Sequence, residues 1–225
     1  MVKPSEYRTI NFPERQGYFE IGNVREGNKT ARYHLMHRLT LPMNQDELAK
    51  YSESEKAKGN PYACTSNTLW QIFDAASKLE GKVSQGEFAQ LMQFIKQGLE
   101  QWPNTLSRVV YTPVGETDKV IHNYGTSEAY TLEGDVINPI GFMSKISNED
   151  REALKLTLGT RAIEQINKTS DKINNIPMYF WRFNSKPAQK NERVVRFYAS
   201  SDGLGLDCDG GLRSEDPAFR VVRTE

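Results

Sequence analysis

The chain has 225 residues, of which 37% are hydrophobic and 26% charged, a composition typical of a globular protein rather than of a disordered chain. The chain has 29 basic residues (lysine and arginine) and 29 acidic residues (aspartate and glutamate). With no net charge, the protein as a whole is not attracted to nucleic acid or to an anionic membrane. No stretch reaches the roughly 18 apolar residues of a transmembrane helix, and residues 1–8 lack the apolar core of a secretory signal. The two cysteines are too few for a disulfide framework. We therefore expect a soluble, cytoplasmic protein, and no metal or cofactor is indicated.

The first part of the chain predicts a β-hairpin. Residues 18–24 have the composition of a short strand, and residues 31–41 alternate between apolar and polar side chains with the period of a half-buried strand. Gly27 and Asn28 between them are typical turn residues. The hairpin therefore opens the fold.

Three helices are predicted next. Their apolar residues recur at helical spacing, and two of the three starts carry a glutamate three residues after the capping side chain, as in a capping box. The predicted helices begin at Asn44, Ser66 and Ser84 and end near Gly59, Gly81 and Trp102.

Short strands and two further helices follow in the middle of the chain. Together with the first elements they predict an α+β fold, in which antiparallel hairpins pack with about four to five helices and a C-terminal β-hairpin closes the structure. We expect a single domain over residues 1–225, with 138–147 as the place of a boundary if the chain divides. The strands are predicted at 108–112, 119–124, 129–132 and 136–137, and the helices at 147–158 and 160–173.

The C-terminal part carries two strands rich in aromatic and basic side chains, at 178–183 and 193–198. If they pair as a hairpin, strand alternation packs an aromatic face on the helices and lets Arg182 and Arg196 share the opposite face. Two guanidinium groups on one face can bind a carboxylate or phosphate in a bidentate manner, and Tyr198 beside them can stack a base or a sugar. Arg182, Arg196 and Tyr198 are therefore the candidate contacts of an anionic ligand.

The charges around these strands give a second interpretation. Residues 179–200 contain five basic side chains and only Glu192 as an acidic one, whereas residues 201–217 contain five acidic side chains and only Arg213 as a basic one. The acidic loop 202–216 can therefore pair with the basic strands in an internal ion-pair network. The charge count favours this structural role over ligand binding.

Two other interpretations of the same segment stay open. Asp207 and Asp209 have the spacing of two oxygen ligands of a cation, although the distal glutamate of a calcium loop is absent, which favours a polar turn. The aromatic and basic residues of 193–198 also suggest RNA binding, but they lack the glycine of the RNP1 pattern. The balanced net charge makes nucleic acid the weaker choice.

Cys64 suggests a different type of site. It immediately precedes a predicted helix, whose positive dipole end lowers the pKa of a thiol and favours the nucleophilic thiolate. His122 follows on a predicted strand, and Asp135 or Asn138 comes after it, an order that resembles that of papain-like peptidases. The resemblance implies Cys64 as nucleophile, His122 as general base and Asp135 as the orienting group. The sequence departs from that family's pattern upstream of the cysteine, where only Asn60 stands in place of the usual oxyanion-hole glutamine.

These observations lead us to expect a domain that binds a protein partner or a small anionic ligand without covalent chemistry, through Arg182, Arg196 and Tyr198. The alternative is a thiol hydrolase or transferase with Cys64, His122 and Asp135, and the third hypothesis is an RNA-binding module. The common nucleotide-binding and hydrolase motifs do not occur in the sequence, which leaves open whether the protein is an enzyme.

Overall fold

The computed structural model describes residues 9–10, 17–201 and 203–224, and in these ranges it combines two β-sheets with five α-helices, which confirms the predicted α+β class. Residues 1–8 and Asp202, which the sequence interpretation used, lie outside the described residues. Within the described ranges, no helix has the length and apolar character needed to cross a membrane.

The strands are β1 (Thr9–Ile10), β2 (Tyr18–Glu26), β3 (Lys29–Met36), β4 (Tyr62–Ala63), β5 (Asn104–Tyr111), β6 (Lys119–His122), β7 (Tyr130–Glu133), β8 (Met143–Lys145), β9 (Met178–Trp181), β10 (Asn191–Ser200), β11 (Gly203–Gly210) and β12 (Arg220–Arg223). The helices are α1 (Gln45–Ala57), α2 (Ser66–Ser77), α3 (Gln85–Leu99), α4 (Arg151–Leu158) and α5 (Ile163–Asn174), and a 3₁₀ turn (Asn148–Asp150) precedes α4.

The smaller sheet contains the predicted N-terminal hairpin. Its five strands have the order β1-β2-β3-β12-β4, and β2 and β3 pair antiparallel. Gly27 lies in the turn with a φ of 59°, a conformation that glycine adopts without strain. The prediction of a strand up to residue 41 was too long, because β3 ends at Met36 and Leu41 is 81% exposed. The late strand β12 enters between β3 and β4 and completes this sheet.

The larger sheet has seven strands in the order β7-β6-β5-β10-β11-β9-β8 and corrects the predicted C-terminal hairpin. The hairpin is formed by β10 and β11, whereas β9 pairs parallel with β11, so residues 178–183 do not pair with 193–198. The segment predicted as a polar loop is the strand β11. Leu204, Leu206 and Cys208 are all fully buried, an alternation with the period of two that the intervening glycines and aspartates obscured.

The helices begin largely where the sequence predicts. Asn44 and Ser84 each accept hydrogen bonds from their helix in a complete capping box. The capping residue of α2 is Thr65 rather than Ser66, whose main-chain N–H instead donates to the hydroxyl of Ser107 at 2.9 Å. Gly159 ends α4 in the left-handed conformation, with a φ of 70°.

One hydrophobic cluster includes side chains of both sheets and of the helices. Phe73 of α2 is at its centre: its ring centroid lies 5.9 Å from that of Phe197 in β10 and 5.3 Å from that of Phe219 beside β12, both edge to face. The segment 138–147, where a domain boundary was considered, contains β8 and pairs with β9 in the larger sheet. That residues 1–225 act as one domain stays a prediction.

Candidate functional site

Arg196 and Tyr198 lie on the face of the larger sheet opposite to Phe197 and the helices. Arg196 Nε donates to Asp207 at 2.6 Å and one of its Nη atoms donates to Asp216 at 3.1 Å. The guanidinium carbon lies 5.0 Å from the ring centroid of Trp102, which stacks on Tyr198 at 4.4 Å. Tyr198 is only 7% exposed. The arginine is thus paired with two carboxylates, and the tyrosine ring is largely covered.

Arg182 lies on the opposite, core-facing side of the sheet. It is 2% exposed, its Nη2 donates to Asp150 Oδ1 at 2.5 Å, and its guanidinium carbon lies 4.1 Å from the ring centroid of Phe180. The two arginines were predicted to share a face, but Phe180 faces the core while Tyr179 and Trp181 are half-buried on the other side. The three predicted ligand contacts are therefore not brought together.

The predicted balance between the basic strand and the acidic segment is confirmed where the structure describes it. Arg193 Nε donates to Asp209 at 2.7 Å, beside the pairing of Arg196 with Asp207. Both aspartates therefore contact a guanidinium group. Cross-strand ion pairs between β10 and β11 are the structural role of these charges.

The predicted thiol site is not assembled as a nucleophile and its base. Both ring nitrogens of the fully buried His122 are occupied, by the Ser107 hydroxyl at 2.7 Å and by the Leu156 carbonyl at 2.8 Å. Asp135 is exposed and lies 3.5 Å from Lys186. Burial raises the pKa of the Cys64 thiol to about 12, so it stays protonated at neutral pH. The geometry gives the thiol-hydrolase hypothesis no support.

The contacts of His122 form a buried connection between strands and helices. The Leu156 carbonyl can only accept, so Nε2 carries the proton and Nδ1 accepts from the Ser107 hydroxyl. Ser107 in turn accepts the main-chain N–H of Ser66 at 2.9 Å. Burial lowers the pKa of His122 to about 4, which keeps the ring neutral at pH 7. Ser107 and His122 are both fully buried and therefore do not contact a substrate. Their hydrogen bonds instead connect β5 and β6 to the first residue of α2 and to Leu156 of α4.

A large cleft lies between the turn end of the β2–β3 hairpin, the C-terminal end of α1 and the N-terminal end of α2, and Cys64 is one of the residues that line it. Its volume is about 920 Å³, within the range of small-molecule sites. Strands β4, β7 and β12 each contribute one polar side chain to the wall, namely Tyr62, Tyr130 and Arg223. A smaller hollow of about 300 Å³ adjoins it and shares Lys56 and Tyr62.

The charges of this cleft leave one cation without an acidic partner. Lys56 pairs with Glu128, and Arg223 Nη2 donates to Glu26 at 3.0 Å. Arg25 is exposed, its Nε donates to the carbonyl of Gly27 at 3.2 Å, and among the described residues no carboxylate lies within ion-pair distance of it. The cleft therefore carries a net positive charge.

Tyrosine rings line the same cleft. Burial raises the pKa of Tyr62 to about 12, and burial together with a hydrogen bond to Glu26 raises the pKa of Tyr33 further. Both hydroxyls therefore stay protonated at neutral pH. Tyr33 already donates its proton to Glu26, so of these two only Tyr62 can donate to a ligand. Tyr130 is 42% exposed, and its hydroxyl accepts a hydrogen bond from the Asn67 side chain at 2.9 Å. The tyrosines offer both flat apolar surface and hydroxyl groups to a ligand.

No motif in the sequence marks Arg25, Tyr62 or Tyr130 as contacts of a ligand. Arg25 stands at the end of a strand, and Tyr62 and Tyr130 stand in short strands that carry no motif. Arg25 and Tyr62 come together because β12, from the end of the chain, joins the first hairpin to β4, whereas Tyr130 comes from β7 of the larger sheet. Such a long-range arrangement has no local pattern in the sequence.

No protein-family model, no curated protein and no solved structure matches the chain. The function proposed below therefore rests on the geometry of the cleft.

Proposed function

We propose that the protein is a binding domain, which holds a small anionic ligand with a flat ring in the cleft beside Arg25, without covalent chemistry. The observation that carries this proposal is a cleft of about 920 Å³ in which the Arg25 guanidinium has no acidic partner among the described residues. The proposal keeps the predicted kind of function but moves the site from Arg182, Arg196 and Tyr198.

The anionic character of the ligand follows from Arg25. A guanidinium presents a fork of N–H donors that matches a carboxylate or phosphate, and here only Nε is bonded to the protein. The N-terminal end of α2 lies in the same wall, where the helix dipole favours negative charge. Lys56 and Arg223 already contact glutamates, so one anionic group on the ligand neutralises the remaining positive charge of the cleft.

The ring of the ligand follows from the tyrosines. Tyr62 is half-buried and Tyr130 is partly exposed, so each presents part of its ring to the cleft. Aromatic faces stack on flat rings, while the protonated hydroxyls donate hydrogen bonds at the edge. Phenyl phosphate combines both features and is a suitable probe, with inorganic phosphate as the probe that lacks the ring.

Titration calorimetry with phenyl phosphate tests the proposal. We expect binding to the unaltered protein and a dissociation constant raised roughly tenfold or more in Arg25→Gln, because a charge-assisted hydrogen bond contributes about 1.5–3 kcal/mol. Tyr62→Leu should weaken phenyl phosphate more than inorganic phosphate, since only the former has a ring to stack.

Arg220→Gln is the matched control. Arg220 is also bonded only through Nε to a main-chain carbonyl, that of Arg38 at 3.0 Å, and it does not line the cleft. Equal losses in the Arg25 and Arg220 variants, or no binding of either probe, would overturn the proposal. Steeply salt-dependent binding of oligonucleotides would instead support the RNA-binding hypothesis, because many phosphates would be contacted.

We place this binding in the cytoplasm, as the sequence predicts. The two cysteines, Cys64 and Cys208, are both free thiols, which suits a reducing compartment.

A further inference from the structure

The wall of the cleft carries charges of both signs. Among the described residues that line it, three are basic and two are acidic, which gives a net charge of +1. The basic residues are Arg25, Lys56 and Arg223, and the acidic residues are Glu26 and Glu128. A ligand that enters the cleft therefore approaches two carboxylates as well as the guanidinium group of Arg25.

Glu26 is held through both of its carboxylate oxygens. Oε1 accepts a hydrogen bond from the hydroxyl of Tyr33 in β3, and Oε2 accepts one from Arg223 Nη2 in β12 at 3.0 Å. The side chain of Glu26 is 30% exposed, compared with 51% for Arg223. The carboxylate cannot turn away from an incoming anion without losing both bonds, and it neutralises Arg223.

Glu128 has the same relation to Lys56. The ammonium group of Lys56 contacts Glu128 Oε2 and lies 5.3 Å from the ring centroid of Tyr62. Lys56 and Glu128 both line the large cleft and the smaller hollow beside it. This ion pair therefore lies where the two spaces adjoin, and its cation already has a partner in the protein.

The smaller hollow is unfavourable for an anionic group. In the described part of the chain, its charged lining residues are Glu53, Glu128 and Lys56, with a net charge of −1. Ser127 donates to Glu53 from its main-chain N–H at 3.1 Å and from its hydroxyl at 2.6 Å. These hydrogen bonds lower the pKa of Glu53, so its carboxylate is ionised at neutral pH.

We propose that Glu26 and Glu128 are specificity-determining residues, which restrict the ligands of the cleft to flat-ring compounds with a single anionic group. The inference rests on the proposed function, because it takes Arg25 as the contact of that first group. A second anionic group would face a carboxylate, while Arg223 and Lys56 are already paired. Repulsion of this kind discriminates against the wrong ligand without weakening the right one. Aryl carboxylates and aryl phosphates then fit the cleft, whereas compounds with several phosphates do not.

Titration calorimetry with three probes tests this selectivity. Phenyl phosphate has one anionic group, and 1,3- and 1,4-phenylene bisphosphate carry a second phosphate on the same ring. We expect both bisphosphates to bind the unaltered protein more weakly than phenyl phosphate, by roughly threefold or more, because like charges repel in the cleft.

Glu26→Gln should reverse this preference. The glutamine keeps an oxygen that accepts from the Tyr33 hydroxyl, but it removes the negative charge and frees Arg223 for the ligand. We expect the affinity for at least one bisphosphate, relative to phenyl phosphate, to rise by roughly tenfold or more, because a guanidinium group forms charge-assisted hydrogen bonds with phosphate. Glu128→Gln frees Lys56 and should shift the ratio in the same direction.

Glu80→Gln is the matched control. It changes the net charge of the protein by the same amount and breaks a comparable exposed pair, that of Glu80 with Lys172 at 2.6 Å. Glu80 follows the C-terminal end of α2, whereas the cleft lies at the N-terminal end of that helix, about 18 Å away for 12 residues. The ratio of affinities should therefore stay unchanged in this variant.

The outcomes separate the selectivity from the proposed function. Bisphosphates that bind the unaltered protein more tightly than phenyl phosphate would overturn the selectivity, as would a ratio that neither Glu26→Gln nor Glu128→Gln shifts. An equal shift in Glu80→Gln would also overturn it, because the effect would then come from net charge. In each of these cases, weaker phenyl phosphate binding in Arg25→Gln would still support the proposed function. No binding of phenyl phosphate to the unaltered protein would overturn both.

Discussion

At the scale of single residues, the structure separates buried charges from those available to a ligand. Arg182 and Asp150 are both almost completely buried and are bonded to each other, whereas Arg25 is exposed at a cleft without an acidic partner in the described ranges. In the sequence, both arginines stand in or next to a predicted strand. Burial and ion-pair partners, which the structure shows, distinguish the two side chains.

The buried pair makes a clear prediction for stability. Asp150→Asn leaves the Arg182 guanidinium buried with a neutral partner, so we expect the free energy of unfolding to fall by about 3–5 kcal/mol. Urea unfolding followed by circular dichroism measures this loss. Glu152→Gln breaks the exposed pair with Arg161 and should cost less than about 1 kcal/mol. Similar losses in the two variants would show that burial does not set the strength of these pairs.

At the scale of secondary-structure elements, the sequence predicted those features that depend on residues close together in the chain. The first hairpin and the capping boxes of α1 and α3 were predicted from turn and capping residues, whose effects act within a few positions. The strand β11 was missed because its glycines and aspartates are typical of a loop. The pairing of β9 with β11, and the cleft itself, depend on contacts between distant segments and leave no mark in the sequence around them.

The glycine at the centre of β11 has a packing role that a substitution can measure. The ring of Tyr198 lies across Gly205, and a Cβ atom there would be 2.1 Å from ring atoms. Because Trp102 stacks on the tyrosine, the ring cannot move freely, and we expect Gly205→Ala to lower the free energy of unfolding by about 1–3 kcal/mol. Chemical denaturation of the variants measures the loss.

Two further variants make the Gly205 prediction specific. Gly86→Ala in α3 meets nothing within 4 Å and should stabilise the protein by about 0.5–1 kcal/mol, as alanine does in helices. Combining Gly205→Ala with Tyr198→Ala removes the clash, so the double variant should lose less than the sum of the single losses. Additive losses would show that Tyr198 is not the obstacle.

At the scale of the whole molecule, the cleft and the outer strand β8 lie in different parts of the fold. The cleft lies between the smaller sheet, α1 and α2, whereas β8 is the outermost strand of the larger sheet. No residue of β8 lines the cleft.

The histidines give the whole molecule a pH-dependent stability. Burial lowers the pKa of all three, His34, His37 and His122, and for His122 the value is about 4 in the folded state against 6.5 as the ordinary value. The unfolded chain therefore binds protons first as the pH falls below 6.5. The contribution of His122 to the free energy of unfolding is therefore fully present above pH 6.5. This contribution decreases between pH 6.5 and about pH 4 and changes no further at lower pH. His122 alone should account for about 3 kcal/mol of this loss.

Urea midpoints measured between pH 7 and pH 4 test this effect. His122→Gln removes the titrating ring, so the pH dependence should become shallower by up to about 1.4 kcal/mol per pH unit, even though the lost contacts to Ser107 and Leu156 reduce stability at pH 7. His34→Gln, at a half-buried position, should keep most of the original slope. An unchanged slope in His122→Gln would mean that the ring is not held neutral by its burial between the strands and helices. The slope, rather than the stability at one pH, therefore separates the proton linkage of His122 from its packing role.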